Sequence, residues 1–318
     1  MTTTILLLSV DEADNLRHAL PAALAQEQAD VVVIDNASTD ATGDLAREHG
    51  AEHLRLERRL SYCAAINAGI AATGGDAVLL LNADCFLAPG FLAAARPRLA
   101  EERVGSIAPK LIRTAGPAPE QRLDAIDAAG MVVDRRRKNA LVGHGRPSLC
   151  YGTPTEVFGA DGAAALYRRE TLEDCAVEGS VFDDDLELWA SDVDLAWRAR
   201  LLGWRSAYEP EAVAYHVRTY SPSTRAGLST RDRRMQFRNR YLMMVKNDTP
   251  AALARDLHHV AAHELLALGH VLLRERELLG AYADAARLLG PARRRRRELR
   301  ARSRSRHATV PFCLEARP

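Results

Sequence analysis

The sequence predicts an α/β fold: a mostly parallel sheet flanked by helices, with a helical appendage at its C-terminal end. Short apolar runs recur through the first part of the chain, separated by stretches with helical spacing. That alternation is the mark of βαβ units, and unbroken apolar runs suit strands buried on both faces. Two of the runs stop at carboxylates, Asp35 and Asp84. In open α/β sheets, ligands bind just beyond the carboxyl ends of the strands. After Pro250 the composition turns Ala/Leu-rich and then Arg-rich, so residues 1–250 read as the sheet domain and 251–318 as the appendage.

Residues 5–8 (Ile-Leu-Leu-Leu) form the first strand. Leu16, Leu20 and Leu24 mark the helix that follows. Pro21 inside it is expected to break or kink it, because proline lacks the N–H and clashes with the preceding turn. Residues 31–35 form the second strand. Asn36, Ser38, Thr39 and Asp40 make a polar turn rich in N-cap candidates, opening a helix as far as His49. Residues 52–56 read as a third strand. Ser61 caps a helix that Gly74-Gly75 stops. Residues 78–81 form the fourth strand, ended by Asn82-Ala83-Asp84. Pro89 opens the next helix, and residues 104–109 read as a further strand.

From 114 to 155 the pattern is irregular, and reads as strands or loops flanking a binding face. The small residues from Gly159 to Ala165 allow either backbone approach to a ligand or close helix-sheet packing. Ser191-Asp192-Val193-Asp194 fits a capping box, with Ser191 as N-cap and Asp194 reaching back, on a helix ending at Gly203. Its carboxylates either complement the helix dipole or, at Asp192, face outward for chemistry. Residues 212–216 form a strand ending at His216. Arg238 to Tyr241 begin a helix with two basic residues. Residues 251–289 read as helix, ended by Gly290-Pro291.

Composition narrows the function. The 318 residues carry a net charge of +1, so the chain as a whole is not built for a polyanion and no nucleic-acid partner is expected. The charge is nonetheless uneven. Asp183, Asp184, Asp185, Glu187, Asp192 and Asp194 form an acidic cluster, and residues 293–297 are all arginine. The five cysteines include no CxxC pair, which argues against a zinc site or a disulfide framework and fits a reducing compartment. There is no basic n-region ahead of the first apolar run and no run of about twenty apolar residues, so the expected location is cytoplasmic. The C-terminal basic segment beside amphipathic helix suggests peripheral contact with the inner, anionic face of the membrane; a solvated tail is the other reading. No G-x-G-x-x-G follows the first strand, which lowers the case for a dehydrogenase.

Taken in order, these segments resemble a family 2 glycosyltransferase of the GT-A fold, in its rhamnosyltransferase-like branch. The resemblance covers residues 5–247. It rests on Val32 through Asp40, on Asn67-Ala68-Gly69-Ile70, Leu80-Leu81-Asn82-Ala83-Asp84, Pro89-Gly90-Phe91-Leu92 and Phe182-Asp183-Asp184-Asp185. Its most specific part is Asp192-Val193-Asp194-Leu195-Ala196-Trp197-Arg198 with Gly203-Trp204-Arg205, followed by Pro210-Glu211-Ala212-Val213 and Tyr215-His216. The resemblance implies that Asp35 contacts the nucleotide base, with Asn36 and Ser38 beside it, and that Asn67 lies near the donor. It implies that Asp84 is the metal-binding Asp of a DxD motif whose first position is Asn82. His216 would complete the metal's coordination, and Asp192 would be the catalytic base. Four positions depart from the family pattern: Asn82 in place of Asp, Ser191 in place of Glu, Val10-Asp11 in place of Tyr-Asn, and Ser61 to Ala65 in place of a glycine-rich approach.

The implied chemistry is self-consistent. A nucleotide-diphosphate sugar leaves a dianionic diphosphate, and a divalent cation (Mg²⁺ or Mn²⁺) neutralises that charge. Mg²⁺ needs only one or two protein carboxylates when phosphates and water supply the rest, whereas a His tilts the preference toward Mn²⁺. An acceptor hydroxyl needs a base to take its proton during attack. The expected enzyme is therefore an inverting, metal-dependent glycosyltransferase. It would move a sugar, rhamnose by analogy, from a nucleotide-diphosphate donor to a cell-surface glycan or lipid-linked acceptor. Two alternatives stand beside it. A nucleotide-sugar-binding pseudoenzyme is motivated by Asn82 and Ser191. A sugar-phosphate nucleotidyltransferase would carry a Gly-rich basic loop after the first strand, and Val10-Asp11-Glu12-Ala13 is not one.

Overall fold

A computed structural model describes residues 1–218, 227–303 and 310–313. Its first half alternates strand and helix: β1 (Thr3–Ser9), α1 (Ala13–Leu24), β2 (Ala29–Asp35), α2 (Thr42–Glu48), β3 (Glu52–Arg55), α3 (Tyr62–Ala72) and β4 (Ala77–Asn82). These four strands lie parallel in the order β3-β2-β1-β4. The apolar runs are unbroken because alternate residues serve opposite faces. Leu6, Val32, Ile34, Val78 and Leu80 pack on one side with Ile66 of α3. Ile5, Leu7, Val31, Val33, Leu79 and Leu81 pack on the other with Leu16 and Leu20 of α1.

The chain then widens the sheet. It continues through β5 (Cys85–Leu87), α4 (Phe91–Leu99), β6 (Val104–Thr114), β7 (Arg122–Ala128), the hairpin β8 (Met131–Val133) and β9 (Asn139–Leu141), and β10 (Thr155–Val157). Next come β11 (Ala164–Arg168), α5 (Arg169–Cys175), α6 (Ser191–Leu201) and β12 (Arg205–His216). Among the described residues the sheet has ten strands, in the order β10-β12-β6-β11-β4-β1-β2-β3, with β5 on β12 and β7 on β6. Strand β11 enters antiparallel between β4 and β6, while β12 runs parallel to β6. The irregular sequence from 114 to 155 is thus loop and turn carrying β7, which pairs with β6, and the separate β8–β9 hairpin. It lacks a clean period because its strands are short and bulged.

Four helices follow: α7 (Thr230–Asn247), α8 (Pro250–Arg274), α9 (Leu279–Arg287) and α10 (Leu289–Arg302). None of the described helices is long and apolar enough to cross a membrane. Two expectations about proline are corrected. Helix α1 continues through Pro21, held by the buried Leu16, Ala19, Leu20 and Ala23 around it. Pro291 sits in the first turn of α10, where its missing N–H leaves no helix bond unmade.

Three arginines of the C-terminal basic segment are built into the fold, while Arg293 and Arg297 are exposed. Arg295 pairs with Asp183 (2.7 Å) and Asp185, Arg296 donates to the Val245 carbonyl (2.7 Å), and Arg300 donates to the Asn247 and Asp248 carbonyls. Arg304 and Arg306 lie outside the described residues. The 250/251 position falls at the start of α8, where Thr249 accepts from the Ala252 N–H. Fully buried Arg137, just before β9, ties both sides of that position together through Asp248 and Asp256, each at 2.8 Å.

Candidate functional site

Sheet order reverses between β1 and β4. The chain winds outward from β1 through β2 to β3 on one side and continues from β4 on the other, which leaves a crevice at the strands' carboxyl ends. Register brings Ser9 level with Asp35 and Leu8 level with Asn82. The polar ends of three strands therefore face one opening.

Asp84 lies in the turn between β4 and β5. Strand β5 pairs antiparallel with the end of β12, so that Cys85 faces His216, and the Val217 N–H donates to the Asp84 carbonyl at 3.0 Å. The ladder places His216 Nε2 3.4 Å from Asp84 Oδ1. His216 Nδ1 bonds Asp127 Oδ2 at 2.8 Å. Arg218 Nε donates to both Asp127 oxygens (2.7 and 2.9 Å), and its Nη2 donates to Asp161 at 2.9 Å.

Burial alone would discharge the imidazole, but its bonds to Asp127 and Asp84 outweigh burial and hold it up at about 9. Burial likewise opposes the Asp127 carboxylate. His216 and Arg218 reverse that and bring it down to about 2. A histidine fixed at Nδ1 by a carboxylate and aimed at a second carboxylate through Nε2 is the usual dressing of a metal-ligating His. Among the described residues no group of three or more His, Cys, Asp and Glu could hold a metal alone. Asp84 and His216 supply two donors, which fits a cation whose remaining positions belong to phosphate oxygens and water.

Asp192 sits in the first turn of α6, beyond a tight loop. Ala190 (φ 65°, ψ 13°) adopts the left-handed conformation there, and Glu187 (φ 61°, ψ −61°) centres a tight γ-turn in which the Leu188 N–H donates to the Leu186 carbonyl at 2.7 Å; each costs a non-glycine residue about 1 kcal/mol or more, and such strain is commonest at functional sites. Asp192 Oδ1 accepts from the Val193 N–H (2.8 Å) and Oδ2 from the Gly162 N–H (3.3 Å). Burial, reinforced by the Asp161 carboxylate, raises its pKa to about 6. A Cβ on Gly162 would stand 3.3 Å from Tyr62 Oη, so glycine keeps the N–H close to Asp192. Gly159 serves packing instead: a Cβ there would meet Ala196 of α6 at 2.4 Å.

The capping box is corrected. Ala190 is the N-cap, and Ser191 Oγ donates to the Leu188 carbonyl. Asp194 turns inward, fully buried, and binds Arg198 (3.0 Å), Lys246 (2.9 Å) and Asn247 (2.8 Å). The acidic cluster does not surround Asp192 either. Asp183 pairs with Lys246 and Arg295, and Asp184 with Asn67. Because Asp194→Ala would leave Arg198 and Lys246 short of a buried partner, it is expected to cost about 3–5 kcal/mol rather than the ~1 kcal/mol of a lost cap. Urea titration of the variant reads this directly.

The other candidates are placed as follows. Asp35 is fully buried and accepts from the Ser38 N–H (2.7 Å), His53 and Arg55 (2.5 Å). Burial opposes its charge, but these donors win and lower its pKa. Asn36 clips Leu60 through both backbone groups, and Ser38 Oγ accepts from the Asp11 N–H. Asn67 holds Phe182 the same way and reaches Asp184 at 3.0 Å. Asn82 is half-buried, and its N–H donates to the Ala163 carbonyl.

Sequence reasoning missed Asp127, Asp161, Arg218 and Asn239. The buried Asn239 side chain donates to the Leu186 and Trp189 carbonyls, and Arg238 reaches Glu187; both brace the loop before Asp192. So the Arg238 to Tyr241 segment lies mid-helix and supports the site from behind.

Comparison with known proteins agrees with this fold. The family model described as Glycosyl transferase family 2 matches residues 4–175, more than half of the chain. The chain belongs to that family, and its fold is the GT-A fold of the solved neighbours. TarS of S. aureus, solved with UDP-GlcNAc, superposes with a TM-score of 0.62 at 17% identity over 95% of this chain and 90% of that one. The mannosyltransferase PcManGT of Pyrobaculum calidifontis, solved with GDP-Man and Mn²⁺, gives 0.54 at 20% identity over 94% and 85%. GalNAc-T7, solved with UDP, GalNAc and Mn²⁺, gives 0.59 at 16% identity over 77% and 48%. A curated relative, the uncharacterized protein y4gI of Sinorhizobium fredii (strain NBRC 101917 / NGR234), is 26% identical over 66% of this chain, which spans only 23% of that relative's length.

Proposed function

We propose that the chain transfers a sugar, with inversion, from a nucleotide-diphosphate donor bound in the β1/β4 crevice to a hydroxyl acceptor, in a metal-dependent reaction. The observation that carries this is the placement of two unlike acidic groups. Asp84 stands with His216 at the carboxyl ends of the strands, and Asp192, its pKa raised to about 6, stands in the first turn of α6. Asp84 and His216 would hold the divalent cation, which when bound neutralises charge on the departing diphosphate. Asp127 fixes the His216 ring from behind. Asp192 takes the proton from the acceptor hydroxyl. The Gly162 and Val193 N–H groups orient its carboxylate, and its raised pKa brings it closer to an alkoxide-forming task near neutrality. A single base and a single displacement predict inversion at the anomeric carbon.

Asp35, Asn36, Ser38, Asn67 and Asn82 are assigned to the donor. Asp35 shapes the nucleobase end through its Ser38 and Arg55 partners. Asn67 couples the donor side to the Phe182 loop. Thymidine-diphosphate rhamnose is the first donor to try, and a cell-surface glycan or lipid-linked glycan the first acceptor. Residues 1–250 are the catalytic unit and 251–318 the appendage.

The neighbours' ligands support this reading, since PcManGT and GalNAc-T7 were solved with Mn²⁺, and PcManGT and TarS with nucleotide sugars. Calorimetry with UDP-, GDP- and dTDP-sugars, in Mn²⁺, Mg²⁺ and chelator, tests it. One donor should bind at least about tenfold more tightly with a cation than without. Equal binding in chelator would overturn the metal assignment.

A further inference from the structure

Strands β1, β2 and β3 run parallel, so the helix that follows each begins at their carboxyl ends, beside the crevice. Helix α3 begins there with Tyr62, after the Ser61 cap. The Tyr62 ring is half-buried and packs edge-on against Phe182, with centroids 6.3 Å apart. Phe182 is itself held at both backbone groups by Asn67. The ring is therefore fixed in place. Yet among the described residues its Oη has no hydrogen-bond partner, and a phenol packed into a protein usually finds one.

Gly162 marks where that partner belongs. A Cβ there would stand 3.3 Å from Tyr62 Oη and 3.9 Å from Asp192 Oδ2. The Gly162 backbone does not itself demand glycine, since its φ lies outside the left-handed region. What the missing side chain provides is space, and that space opens between a phenol and a carboxylate. Burial, reinforced by the Asp192 and Asp161 carboxylates, pushes the Tyr62 pKa up, so the phenol stays a donor. A donor and a proton acceptor flanking one gap fit two neighbouring oxygens of a polyol. The reacting hydroxyl gives its proton to Asp192, and the adjacent oxygen accepts from Tyr62.

We propose that Tyr62 is an acceptor-binding residue and that, with Gly162 leaving room, it selects acceptors carrying an oxygen next to the reacting hydroxyl. This rests on the reading of Asp192 as the base. An alcohol without the second oxygen leaves the phenol unpaired, which is how a site built to bind a hydroxyl rejects an analogue that lacks it.

The full chain, with Mn²⁺ and its tightest-binding nucleotide sugar, is offered ethane-1,2-diol or ethanol at equal concentration, with water competing. Mass spectrometry gives each glycoside relative to free sugar. Wild type should form the diol's glycoside about tenfold more than ethanol's, the worth of one hydrogen bond. Tyr62→Phe should make the two about equally. Its donor affinity and thermal midpoint should not change, because the hydroxyl has no protein partner to lose. Gly162→Ala puts a methyl group in the gap and should lower both glycosides relative to free sugar. A wild type without preference for the diol, a Tyr62→Phe variant that keeps the preference, or a lowered midpoint in that variant overturns the proposal. A ratio of products is unmoved by a general fall in rate, so it is separable from the base assignment. That assignment fails instead if Asp192→Asn releases nucleoside diphosphate as fast as wild type.

Discussion

Asp192→Asn lowers kcat by about a hundredfold to ten-thousandfold, the usual worth of a general base, while donor affinity stays nearly constant. The amide preserves shape and can keep one of the two backbone bonds from Val193 and Gly162, but it cannot accept a proton. A pH profile sharpens the test. The carboxylate is the active form and its pKa is raised to about 6. Wild-type kcat/KM is therefore level above about pH 6 and falls about tenfold per unit below it, whereas the variant loses that acid limb. If Asp194→Asn were inactive with its stability intact and Asp192→Asn active, the two roles would be reversed.

Asp84→Ala removes turnover, by roughly a thousandfold or more if the cation contributes several kcal/mol of charge stabilisation. It also weakens donor binding in Mg²⁺ or Mn²⁺. The fold should survive, because the side chain lies at the rim and its close partner is His216. Excess chelator on wild type should mimic the variant. Full activity of the pure variant, with normal circular dichroism, would remove Asp84 from the site. His216→Ala should lose activity less uniformly, more in Mn²⁺ than in Mg²⁺, since imidazole suits the softer ion.

The parallel half of the fold was legible because its physics is local. Val78 to Leu81 and Val31 to Ile34 are buried on both faces, so burial writes itself into consecutive residues. The site's supporting residues were not legible, because their partners are distant in sequence. Asp127 meets His216 across 89 positions, through a bulged β6–β7 ladder that leaves no clean period. Its one signal is a carboxylate set between Ile126 and Ala128. Asp194 misled for the opposite reason. Ser-x-x-Asp satisfies a local capping rule, but Arg198 and Lys246 offered a buried network worth more than a cap. The arginine tract misled in the same way, since its composition resembles a free tail and its partners are the Asp183 loop and the end of α7.

Donor hydrolysis followed by proton NMR tests the central claim most directly. With the tightest-binding nucleotide sugar and no acceptor, water stands in for the acceptor hydroxyl. Wild type should release nucleoside diphosphate only when a divalent cation is present, and the first sugar seen should have the anomeric configuration opposite to the donor's. Release that persists in chelator, first-formed sugar with the donor's own configuration, or no release from any bound donor would contradict a metal-dependent inverting transferase with Asp192 as its base.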